Sequence, residues 1–155
     1  RSRECDTLDK LLHDTHRPVV VVPHHCRDDK EGSGVLIAYD GSLQATRALQ
    51  AFVASELNAL GDVHVLSFHK TCQLEASKVA DRAVEFLRFH DILATPHTTT
   101  TPSCASEAIL DAAKQISAGL IVMGSYGRNS LVEFFLGSVT RNVLQKTEVP
   151  LFLYH

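Results

Sequence analysis

The residues of this chain best suited to chemistry form a string of small ones. Gly124-Ser125-Tyr126-Gly127 is followed, after nine intervening residues, by Gly137-Ser138-Val139-Thr140. The string starts directly after Leu120 to Met123, the most apolar of the strand-like runs. A phosphate gripped by main-chain N–H groups must come close to the backbone. A Cβ at Gly124 or Gly127 would block that approach or forbid a positive φ. A helix opening near Gly137 would add unpaired N–H groups and the positive end of its dipole. Ser138 and Thr140 offer hydroxyl donors, and Arg128 a screening charge. The dipole contributes about 0.3–1 kcal/mol for an exposed anion, so several charge-assisted N–H bonds must supply most of the affinity. Any one of these glycines alone reads as an ordinary turn or cap. Their joint spacing behind a buried strand points to an anion site.

Other chemistries find less support. The sequence holds no GxxxxGK[ST], no GxGxxG after its first long strand and no GxSxG, which sets aside P-loop, dinucleotide and nucleophile-elbow readings. His24-His25-Cys26 is the densest group of metal-ligating types. Three consecutive residues cannot all aim at one ion from a strand or helix, and the group reads as linker. The four cysteines form no CxxC pair, which reads as reduced thiols in a cytoplasmic protein. The net charge is −3, with lysines and arginines scattered, so neither nucleic acid nor a membrane surface is called for. No apolar run reaches the roughly 18 residues of a membrane span, and the first 20 residues lack a signal-peptide core.

The elements that must position the string alternate in type. Val35 to Tyr39 reads as a buried strand ending in an Asp40-Gly41-Ser42 turn, with Ser42 as a helix cap. Ala45, Ala48, Leu49, Phe52, Val53, Leu57 and Leu60 predict one helical face, stopped at Gly61. Val63 to Phe68 is a strand, and Ala76, Val79, Ala80, Ala83, Val84 and Leu87 predict a second helix. Thr95 to Thr101 reads as an edge strand, since Pro96 cannot donate to a central ladder. A helix around Ala108 to Ile116, the Leu120 to Met123 strand, a short helix with Val139, Val143 and Leu144, and a strand from Val149 to Tyr154 follow. Such alternation predicts parallel strands with helices on both faces, and ligands at the carboxyl ends of strands where the winding reverses.

Residues 1 to 34 stand outside this scheme. Leu12 to Val19 echoes Leu144 to Leu151: a leucine-bearing helix end, then X-Pro and a strand. Residues 1–34 therefore read as the tail of a preceding, similar domain plus a Gly-Ser-Gly linker, and residues 35–155 as the domain that carries the small-residue string.

Val35-Leu36-Ile37-Ala38-Tyr39-Asp40-Gly41-Ser42, Leu120 to Gly127 and Gly137-Ser138-Val139-Thr140, in that order, resemble the universal stress protein family over about residues 33 to 155. The string G-x2-G-x9-G-[ST] resembles its ATP-binding branch. The resemblance implies a five-stranded parallel sheet of order 3-2-1-4-5. It implies that Asp40 contacts the adenosine end of a nucleotide and that Phe68 offers backbone to adenine. Met123 and Gly124 would line the ribose, while Gly127, Gly137, Ser138 and Val139 hold phosphates. The ligand implied is ATP, or ADP or AMP, with Mg2+ or Mn2+ bridging phosphates. Pairing through the last strand, as a homodimer or between tandem domains, is implied as well. Gly119, Tyr126 and Thr101-Pro102 depart from the family's usual residues, none at a glycine or hydroxyl position of the phosphate string. The expected function is a nucleotide-dependent regulatory domain. The alternatives are a slow ATPase or self-phosphorylating enzyme, with Ser138 or Thr140 as acceptor, and a nucleotide-free interaction domain.

Overall fold

The computed structural model describes residues 7–8, 10–12, 14–15, 17–26, 34–100, 104–125 and 136–154. Six strands form one sheet: β1 (Val19–Val21), β2 (Gly34–Ala38), β3 (Val63–His69), β4 (Ala94–Thr100), β5 (Ala118–Gly124) and β6 (Leu151–Tyr154). Helices α1 (Leu43–Ala54), α2 (Gln73–Phe89), α3 (Ala105–Gln115) and α4 (Ser138–Lys146) connect them. The sheet order is β1-β6-β5-β2-β3-β4. From β2 to β6 every ladder is parallel, in the five-strand order expected from the sequence. The sixth strand is the difference. β1 adds to the free edge of β6, antiparallel, with Val19 opposite Leu153 and Val21 opposite Leu151.

Strand side chains alternate between two cores because successive Cβ atoms point to opposite faces. Val35, Ile37, Val63 and Val65 pack against Ala48, Leu49 and Phe52 of α1 and Ala80, Ala83 and Leu87 of α2. Leu36, Leu66, Ile121 and Leu153 pack on the other side, against Ile109 and Ala113 of α3 and Val143 of α4. Coverage of both faces explains the unbroken apolar runs, since in a doubly covered parallel sheet neither face meets water. Phe52 and Phe152 meet edge to face at 6.5 Å in the first core. Leu12, fully buried, joins the second core from the helical residues near the N-terminus.

The first helix ends earlier than its apolar spacing predicts. α1 stops at Ala54, where Ser55 donates its hydroxyl to the Phe52 carbonyl at 2.7 Å. Glu56 turns left-handed at φ 57°, and Leu57–Leu60 form a separate 3-10 turn before Gly61 at φ 156°. The serine hydroxyl competes for a helical carbonyl, which is how such residues end helices. Periodicity cannot distinguish one helix from a helix and a turn that bury the same stripe. The edge position of β4 is as expected, and Gln73 ties it to α2 through the Thr98 carbonyl at 3.0 Å.

Candidate functional site

β2 and β5 lie side by side, and the chain winds away from them in opposite directions. Their carboxyl ends therefore open a crevice that no helix among the described residues crosses, the switch point of a doubly wound sheet. A cavity of about 230 Å³ occupies it. Asp40, Phe68, Met123, Gly124, Gly137, Ser138, Val139 and Thr140, all singled out in the sequence, line this one cavity. Gly127 and Arg128, with Tyr126, Ser130 and Glu133, lie outside the described residues.

The turn after β2 is built by its own side chains. Asp40 Oδ1 accepts the Ser42 N–H at 2.9 Å, and Ser42 Oγ accepts the Ala45 N–H at 3.2 Å. Gly41, at φ 75°, supplies the left-handed residue the turn requires. Ser42 is thus the predicted cap of α1, at an extended φ and ψ of −69° and 162°. The result holds the Asp40 carboxylate at the cavity wall, with one oxygen turned inward on its own turn. The Tyr39 carbonyl, meanwhile, accepts the hydroxyl of the fully buried Ser67 at 2.6 Å, fastening the end of β2 to β3.

The opposite wall is the start of α4, and its chemistry differs. α1 is capped by a side chain, whereas among the described residues no side chain caps α4. The Gly137 N–H donates to the Ser125 carbonyl at 3.2 Å, and the first helical bond runs from the Arg141 N–H to the Gly137 carbonyl. The N–H groups of Ser138, Val139 and Thr140 are the ones a first helical turn leaves without intrahelical partners, and their residues line the cavity. Thr140 does not add a free donor. Its hydroxyl lies 3.1 Å from the Ser125 carbonyl and 3.4 Å from that of Gly124, and the residue is buried. Its one proton is committed to main-chain carbonyls, so Thr140 anchors α4 to the tip of β5. Ser138 stays exposed at the cavity mouth.

Gly124 also differs from its expected role. Its φ is not positive; among described glycines, Gly41 and Gly61 have that conformation. A Cβ on Gly124 would instead come within 2.8 Å of Ala45 N and Gln44 C and 2.9 Å of Gln44 Cβ. The missing side chain lets β5 approach the first turn of α1, so packing already demands this glycine. Gly137, at φ −55° and ψ 148°, is likewise extended rather than left-handed.

Ala38, Tyr39, Ser42, Ala45, Ala105 and Ile109 complete the lining and were missed as site residues. Ile109 carried a core signal, the helical stripe, and nothing local shows that part of that stripe overlooks a crevice. Together with Phe68 and Met123 it gives the cavity an apolar lining, to which Asp40, Ser42 and the start of α4 add polar groups. An aromatic base carrying a phosphorylated tail matches that combination: apolar walls for the flat ring, bare N–H groups for the anion.

Among the described residues no group of three or more His, Cys, Asp or Glu could hold a metal ion. Cys26, Cys72 and Cys104 form no disulfide among the described residues. Beside the cavity, Cys104 opens α3 with its thiol below the ordinary value, held by the Ser106 hydroxyl and then by the Glu107 N–H. No helix among the described residues is long and apolar enough to cross a membrane.

Comparison with known proteins bears on the whole of this architecture. Residues 34–155 match the model of the universal stress protein family. The chain is 27% identical over 160 residues to the universal stress protein Slr1230 of Synechocystis, covering 95% of this chain and 50% of that protein. It thus spans about half the length of that relative. A universal stress protein crystal structure from Archaeoglobus fulgidus DSM 4304 superposes with a TM-score of 0.69 at 27% identity, covering 94% of this chain and 52% of the other. A second Archaeoglobus fulgidus universal stress protein, solved in complex with dAMP, superposes with a TM-score of 0.62 at 22% identity, covering 80% and 98% of the two chains.

Proposed function

Because this chain belongs to the universal stress protein family, we propose that its β2–β5 crevice binds an adenine nucleotide, ATP before ADP or AMP, and that occupancy regulates the domain. The start of α4, which lines a cavity that also has apolar walls, carries this reading. Asp40 and Phe68 would face the adenosine end, and Met123 and Gly124 the ribose. Gly137, Ser138 and Val139, with Gly127 and Arg128, would hold the phosphates, and Mg2+ or Mn2+ would bridge phosphate oxygens. The dAMP complex of a relative with the same fold supports this choice of ligand class. Binding converts bare N–H groups into charge-assisted hydrogen bonds, and nothing in the described crevice supplies a positioned base for phosphoryl transfer. The role proposed is regulatory, in a cytoplasmic domain.

A thermal melt tests it directly. At a hundred times its Kd, Mg-ATP is expected to add about 2.7 kcal/mol of stability, which for a chain of this size raises Tm by roughly 5–10 °C. An unchanged melt at millimolar Mg-ATP would sink the proposal.

The last strand is proposed as the pairing surface, occupied from within the chain. β1 sits antiparallel on β6 over Leu151 to Leu153, where a last strand from a second copy would otherwise pair. This supports reading residues 1–34 as a piece of a preceding similar domain and linker, pairing in tandem fashion. Light scattering on the purified chain is then expected to give the monomer mass at micromolar concentration. A stable dimer would show that β1 yields its place to a partner.

A further inference from the structure

β3 and β4 carry two histidines that the nucleotide crevice leaves unused. His64 faces Thr95 in the ladder and Leu66 faces His97, so the two rings sit diagonally on one face of the sheet. His64 Nδ1 and His97 Nε2 are 2.9 Å apart, with ring centroids at 5.1 Å and planes inclined by 42°. Both residues are half-buried. Beside them a groove of about 650 Å³ runs between β4 and α3, with His97 and Leu66 on one wall and Glu107 and Asp111 on the other.

We propose that His64 and His97 form a two-imidazole chelating site for a divalent transition cation of the nickel or copper class. Two nitrogens about 2.0 Å from one ion, in neighbouring corners of a square plane, stand about 2.8 Å apart. The observed 2.9 Å meets that spacing. A tetrahedral ion of the zinc class would need about 3.3 Å on the same bond length. Chelation requires each lone pair to swing about 45° off the line joining the nitrogens, and the broad torsion of an imidazole ring permits this. One ring now donates a proton to the other. On binding, that ring moves its proton through solvent to its other nitrogen, so both facing nitrogens present lone pairs and no charge is lost.

Two features favour the cation over a simple clasp between strands. The groove leaves room for water in the remaining coordination positions. Glu107 and Asp111 place negative charge along the side from which a cation enters.

Titration of the nucleotide-free protein with NiCl2 tests the site. One equivalent is expected to bind. His64→Gln and His97→Gln, which keep a polar side chain on each strand, should each weaken it by about a hundredfold, as loss of one arm of a chelate does. The His24→Ala/His25→Ala double variant should bind like the native chain. Unchanged affinity in either Gln variant, loss confined to the His24/His25 variant, or no binding by the native chain at about millimolar Ni2+ would each overturn the proposal. Should a Gln variant fail to fold, the unaltered protein decides. Substoichiometric Cu2+ should broaden the ring resonances of His64 and His97 before those of any other histidine, and earlier broadening elsewhere would refute the site.

Discussion

Gly124→Ala is expected to lower stability by about 3 kcal/mol, the upper end of the usual range for overpacking. In a chain of this length that corresponds to a fall in Tm of roughly 6–12 °C. The size follows from what the new methyl meets. Two of its three neighbours are the main-chain atoms Ala45 N and Gln44 C, both at 2.8 Å, and the third is Gln44 Cβ at 2.9 Å. A side chain can rotate away from a clash, whereas these atoms are held by the first turn of α1, which Ser42 caps. β5 and α1 must move apart, and with them the two walls of the crevice. Loss of nucleotide affinity is expected alongside loss of stability. The pairing with Ala45→Gly gives a sharp control. Because the clash is with the Ala45 nitrogen and not its methyl, the two substitutions should add rather than compensate. Recovery of Tm in the double variant would show that the contact has been misread.

Asp40→Ala is expected to weaken Mg-ATP binding by about ten- to hundredfold, the loss that follows from removing one hydrogen bond to a charged group. It should also narrow the preference for ATP over GTP, because the proposed binding mode sets the adenosine end against the carboxylate. The residue has a second job that must be separated from the first, since Asp40 Oδ1 accepts the Ser42 N–H and shapes the turn. Asp40→Asn retains a carbonyl oxygen for that bond while losing the charge. It should fold as stably as the native chain and bind with intermediate affinity. Calorimetric titration and melting of both variants separate the roles. If Asp40→Ala melts lower and yet binds Mg-ATP unchanged, the carboxylate serves the turn alone.

These two residues also show how far each kind of information reaches. Asp40 was legible as a strand-end carboxylate before a cap, because Asp-Gly-Ser after an apolar run has a local meaning that survives into the fold. Gly124 was legible as a position needing no side chain, but for a different cause. The expectation was space for a ligand and a positive φ; the structure shows an extended residue against a neighbouring helix turn. A glycine records that something comes close without recording what. Thr140 is similar, since a hydroxyl at a helix start suggests a ligand donor, and its use as an internal anchor depends on where the Ser125 carbonyl stands.

By itself the sequence determined the alternation of strands and helices, the edge position of β4, the cap at Ser42 and the gathering of the small-residue string behind β5. All of these rest on interactions between residues close in the chain, or on the burial of a strand on both faces. The tertiary structure alone decided the end of α1 at Ala54, the Ala105 and Ile109 wall of the crevice and the meeting of His64 with His97. Each depends on distances between segments far apart in sequence, which hydrophobic periodicity does not encode: it says which face of an element is buried, not which neighbour buries it.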